Sequence, residues 1–261
     1  MTSSLAVLSC EILKIRKSKV LLGTIAAFSI APIMGALFVI VLRNPALTEA
    51  NGALQAKAAL TGFSPDWPSF FNLIAQAIGI GGLIIFGFAA SWVFGREYSD
   101  GTAKDLFVLP VPRSTIVAAK TAAIVLWCLA LSLYVFLFSL LMGVLLQLPG
   151  WSWQGFLEAT GTVSITSLLA ILLCPPVALI ASIGRGYLAP LGFVVLSVVL
   201  AQIVGALGFG TYFPWAVPAI FSKAGGVEAV LDVLSYSLVV LTGIAGVLAT
   251  VLWWNNADQT G

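Results

Sequence analysis

The chain has 261 residues, of which 60% are hydrophobic and only 8% charged, with a net charge of +2 and a mean hydropathy of +1.09. A soluble domain carries about 25% charged residues, so this composition excludes a water-covered globule, and so small a net charge argues against a nucleic-acid partner. Histidine is absent and the three cysteines (Cys10, Cys128, Cys174) form no C-x-x-C, which argues against a metal site or a disulfide framework.

Residues 2–19 place Leu5, Leu8, Ile12 and Ile15 at helical spacing, with Glu11, Lys14 and Lys17 turned away. This predicts a short amphipathic helix lying in the membrane interface. A bilayer-crossing helix needs about 20 mostly apolar residues, and six stretches supply them: 20–42, 70–94, 116–146, 159–183, 188–207 and 230–254. The first is longer than a signal-peptide core and lacks a small-residue cleavage site, so it is expected to be retained. After it, Asn44-Pro45, Asn51-Gly52 and Ser64-Pro65 mark a polar loop. The second span carries Asn72, Gln76 and several glycines. The fourth is interrupted by Cys174-Pro175-Pro176, which predicts a kink.

Between the fifth and sixth spans the chain is aromatic rather than polar. Pro214 and Pro218 prevent one continuous helix, yet Phe213 and Trp215 would not sit free in water. A re-entrant or interfacial helical pair fits, because irregular backbone at such depth is tolerated only against protein or a cavity. Seven of the eight tryptophans, including Trp253 and Trp254, fall near span ends, the place of interfacial rings.

Six spans put both termini on one side. The N-terminal segment, the second connection and Arg185 hold nine Lys or Arg, and the alternate loops hold three (Arg43, Lys57, Lys223). The positive-inside rule therefore predicts cytoplasmic termini. No carboxylate sits mid-span, which argues against a built-in proton relay. Asn72, Gln76 and Gln202, with Pro175 and Pro176 as a hinge, are the candidate path residues; hydrogen bonding between helices explains such polar groups equally.

Seven of the 22 charged residues (12 basic plus 10 acidic) crowd into residues 95–120, GREYSDGTAKDLFVLPVPRSTIVAAK. Ser99-Asp100-Gly101-Thr102 offers cap residues for a short helix that Pro110 would stop, with Arg113 and Lys120 expected to anchor the third span at the headgroups. Glu97, Gly101, Thr102, Leu106, Leu109, Pro110, Arg113 and Lys120 together resemble the E-x3-GT-x7-P-x2-R-x6-K signature of ABC-2 type transporter permeases. Asp105 and Pro112 depart from that pattern.

The resemblance implies a single all-α permease domain in a bacterial inner membrane, with a cytoplasmic coupling helix between spans two and three. It further implies a separate ABC ATPase in two copies that carries ATP and Mg, and a second permease copy or a related permease. The chain itself contains no G-x4-G-K-[ST] phosphate loop and is expected not to be an enzyme or to hold a cofactor. The alternatives are a self-contained secondary carrier or channel, which should show intramembrane charge or matched broken helices, and a polytopic membrane enzyme.

Overall fold

The computed structural model describes residues 2–44, 63–102, 106, 110–224 and 230–256. Asn51-Gly52, Lys57, Lys104, Asp105 and Leu109 lie outside the described residues. Among the described residues all regular structure is helical, and six helical segments are long and apolar enough to cross a membrane.

Helix α1 (Thr2–Lys17) ends where Ser18 turns extended and its hydroxyl donates to the Ile15 carbonyl at 3.0 Å. Helix α2 (Lys19–Arg43) follows as the first span. The second span starts at α3 (Trp67–Ala77), whose N-cap, Asp66, accepts from the Ser69 N–H at 2.9 Å. Burial raises the pKa of this carboxyl, but the Ser64 hydroxyl and Ser69 outweigh burial and hold it below its ordinary value. One wide π-turn, Ile78–Gly82, joins α3 to α4 (Leu83–Ser99) without ending the span.

Helix α5 (Arg113–Leu145) has 33 residues. At about 1.5 Å per residue it is about 50 Å long, more than the roughly 30 Å of hydrocarbon, so it tilts or projects beyond the bilayer. The fourth span is broken at Leu172-Leu173 into α6 (Trp153–Ile171) and α7 (Cys174–Ile183). Pro175 and Pro176 sit in the first turn of α7, where a missing N–H costs nothing. Helix α8 (Leu188–Ala206) is the fifth span, α9 (Val217–Phe221) a short helix before the last span, and α10 (Val233–Asn256) the sixth.

The core centres on α4, where Phe86, Ala89, Ala90, Val93 and Phe94 are buried. It packs against α5, α7 and α8. Small residues set two close approaches. A Cβ on Gly243 would stand 2.6 Å from the Leu172 carbonyl oxygen, and one on Gly246 2.6 Å from Pro176; α10 thus lies directly on the break in the fourth span. Trp254 is not an interfacial ring, as its position near a span end suggested. It is buried, donates its indole N–H to the Ser182 hydroxyl at 2.9 Å, and meets Phe94 edge-on at 6.0 Å.

The aromatic segment before α10 folds as two 3-10 turns, Gly210–Tyr212 and Pro214–Ala216, leading into α9. Trp215 stands between Phe213 (5.7 Å) and Phe193 of α8 (5.4 Å), and Pro218 is buried in the first turn of α9. This element rests on the π-turn of the second span: a Cβ on Gly79 would lie 2.8 Å from the Pro218 carbonyl oxygen. Gly79 is about 18 Å along the helix from Trp67. The backbone before the sixth span therefore reaches well inside the bundle.

Candidate functional site

Two of the charges crowded into residues 95–120, Glu97 and Lys120, do not lie on a surface; they close on α1. Lys120 has no solvent exposure, and Glu97 and Glu11 are each 4% exposed. The Lys120 ammonium donates to Glu97 Oε1 at 2.9 Å, Glu11 Oε2 at 3.1 Å and the Val93 carbonyl at 3.0 Å. Those bonds use its three donors fully. The half-buried Lys14 donates to Glu11 Oε1 at 2.8 Å and to Glu97 Oε1 at 2.7 Å. Lys14, Glu11, Lys120 and Glu97 thus form a closed ring of alternating charge with no net excess, spanning α1, α4 and α5. Burial pulls the Lys14 pKa down, but Glu11 and Glu97 outweigh it and hold the ammonium above its ordinary value of 10.5.

The remaining oxygen of Glu97 explains the Gly-Thr pair. Gly101 takes a φ of +71°, a left-handed turn that carries no penalty for glycine. The chain folds back and the Thr102 hydroxyl donates to Glu97 Oε2 at 2.7 Å. The Leu106 N–H then donates to the Thr102 carbonyl at 3.3 Å, and the Leu106 side chain reaches the edge of the core. Pro110 is exposed. Arg113, at the start of α5, donates to the Trp254 carbonyl at 2.9 Å and so fixes the far end of the connection to α10.

Two sequence-based expectations are overturned here. Lys120 is not a headgroup anchor but the buried centre of the ring. Glu11 and Lys14 do not face away from the bundle: they point into it beside the buried Ile15, while Leu5, nearer the start of α1, is 65% exposed. The ring supplies the reason, because Glu97 and Lys120 offer these two side chains a better partner than water does. The one available signal was a single acid, Glu11, three residues before Lys14 in an otherwise basic segment.

Of the path candidates, Asn72 and Gln76 line one groove of about 770 Å³ between α2 and the second span, together with Ser69, Phe28, Met34 and Ile80. Among the described residues no charged side chain lines it. Gln202 is exposed on α8 and is not part of this groove, and Pro175 and Pro176 belong to the break covered by α10.

A family described as ABC-2 family transporter protein matches residues 7–203. The chain is also 23% identical over 177 residues, 68% of its length and 85% of the relative's, to a bacitracin transport permease protein of Bacillus licheniformis. With three-quarters of the chain covered by the family match, this multi-pass membrane protein belongs to the ABC-2 transporter family as a membrane subunit.

Proposed function

We propose that the chain is the permease half of an ATP-driven exporter in a bacterial cytoplasmic membrane, worked by a separate ABC ATPase that grips the 97–113 connection. The observation that carries this reading is the charge ring. It ties the foot of α4, the start of α5 and α1 together, so a push on the connection moves three elements rather than bending one loop. Sliding any one of them past the others would separate buried ion pairs, and leaving a buried charge unpaired costs about 3–5 kcal/mol.

Nucleotide and Mg belong to the partner in this scheme, since the chain has no phosphate-binding loop. Two ATPase copies would act on two permease units, identical or related, whose facing sides enclose the path. The groove lined by Asn72 and Gln76 is the candidate half-path, with the Phe213–Pro218 element beside it across the π-turn of the second span and the fourth-span break just ahead of Pro175-Pro176 as the hinge. Lining that is apolar with a few amide and hydroxyl groups suits an amphipathic or uncharged cargo; the relative's transport of bacitracin is compatible with that class.

The test is co-purification with the cognate ATPase after deletion of residues 101–110. Membrane insertion should survive, while ATPase retention and ATP-driven transport should be lost. A deletion variant that still binds the ATPase and transports would overturn the proposal.

A further inference from the structure

A second charged feature lies beside the ring and is not used by it. A cleft of about 390 Å³ opens between α1, the first turn of α2, the foot of α4 and the turn before α8. Leu13, Val20 and Trp92 give it an apolar wall, and Lys17, Arg96, Asp100 and Tyr187 a polar rim. Arg96 lies over the Trp92 ring at 5.0 Å and gives only its Nε to Asp100, at 2.9 Å. Its terminal nitrogens, the Lys17 ammonium and the Tyr187 hydroxyl have no hydrogen-bond partner among the described residues. Lys14 also borders the cleft, but its charge is spent on Glu11 and Glu97.

The placement decides what fits. Val20 is the second residue of the first span and Trp92 lies two turns from the end of the second, so the apolar wall starts where hydrocarbon starts. Lys17 and Arg96 stand on the polar side of that boundary. A guanidinium fork and an ammonium on one rim match a phosphodiester, and an apolar wall directly below it matches the glycerol and first acyl carbons. Leu13, half-exposed on α1, continues the wall toward the surrounding lipid. A free anion would leave that wall unused.

We infer that this cleft is a binding site for one anionic phospholipid, its phosphate held by Lys17 and Arg96 and its glycerol end against Trp92. The site is independent of the transport reading, because it needs only α1 docked at the membrane surface.

The full-length protein, purified from nanodiscs of mixed phosphatidylglycerol and phosphatidylcholine, should retain phosphatidylglycerol preferentially when bound lipid is counted by native mass spectrometry. Each of Lys17→Gln and Arg96→Gln should reduce that preference about fivefold, the worth of one cation near an anionic surface. Arg16→Gln, on the exposed side of α1 and outside the cleft, should leave it unchanged. Should Arg96→Gln fail to insert, Lys17→Gln at its exposed position carries the test alone. Equal loss from Arg16→Gln would mean diffuse surface charge and overturn the site. Displacement of the lipid by millimolar inorganic phosphate would assign the rim to a free anion, and its displacement by the cognate ATPase would assign the cleft to that protein; either result overturns the inference.

Discussion

The charge ring makes a quantitative prediction through a double-mutant cycle on Glu97 and Lys120. Glu97→Gln removes the carboxylate that both ammoniums share, leaving two cations facing Glu11 alone. Lys120→Met removes the fully buried cation and leaves Glu11 and Glu97 with Lys14 between them. Each single change strands charge in a buried site and should cost about 3–5 kcal/mol. The double variant is different, because it keeps the Glu11–Lys14 pair at 2.8 Å and the balance of charge. Its loss should be close to that of one single change, giving an interaction energy of about 3 kcal/mol.

The assay is unfolding in mixed micelles titrated with SDS and followed by tryptophan fluorescence. Trp127, about two turns along α5 from Lys120, and Trp254, whose indole meets Phe94 beside Lys120, are both buried and should report the transition. Strictly additive losses would refute the closed ring. So would a Glu97→Gln variant within about 0.5 kcal/mol of the parent, which is the range of ordinary surface changes.

Two further outcomes follow from neighbouring geometry. Gly79→Val should destabilise by about 1–3 kcal/mol in the same assay, since its Cβ would stand 2.5 Å from the Ser222 hydroxyl oxygen and 2.8 Å from the Pro218 carbonyl; Gly81→Ala, where a Cβ meets nothing within 4 Å, should be neutral or better. Because the Lys14 pKa is raised in the folded protein, its contribution to docking α1 should be complete below 10.5 and lost only as pH climbs through the higher folded value. Anisotropy of a fluorophore on the exposed Cys10 should fall only in that alkaline window, with no such step in Lys14→Gln; loosening near pH 8 would contradict the ring.

Much of the architecture was open to reading because bilayer spans announce themselves by length and lack of charge. Six apolar stretches became six spans, and Cys174-Pro175-Pro176 correctly marked a break in the fourth. The break itself falls slightly earlier, at Leu172-Leu173, because proline is comfortable in the first turn of a helix and the discontinuity is displaced ahead of it. The misreadings share one cause. Periodicity groups Leu8 and Ile15, which do pack inward, but does not show that Glu11 and Lys14 turn inward beside them, because the deciding partner, Lys120, is 109 residues from Glu11. Likewise Trp254 was placed by its closeness to a span end, whereas Ser182 and Phe94 bring it into the core. The glycine-rich run of the second span gave no sign of a π-turn, since small residues permit close packing and altered helical register alike.

The second span joins the two unusual features of the molecule into one mechanical element. Its foot holds Glu97 in the ring, and its π-turn supports the Phe213–Pro218 element, about 27 Å away along the helix between Glu97 and Gly79 at about 1.5 Å per residue. From Leu83 to Glu97, about 21 Å of that distance at about 1.5 Å per residue, α4 is an unbroken helix with a closely packed inner face, so it moves as a rod rather than absorbing displacement along its length. The π-turn, with Gly79 and Gly82 free of side-chain bulk, is where its hydrogen-bond register departs from the α pattern. Under the proposed coupling, force applied near Thr102 enters through a charge-locked foot and leaves at the one turn of the rod able to change its pitch, between the candidate path and the Phe213–Pro218 element. A uniformly α-helical second span would carry such a push to its far end; on the proposed coupling this one would deliver it to the Phe213–Pro218 element instead.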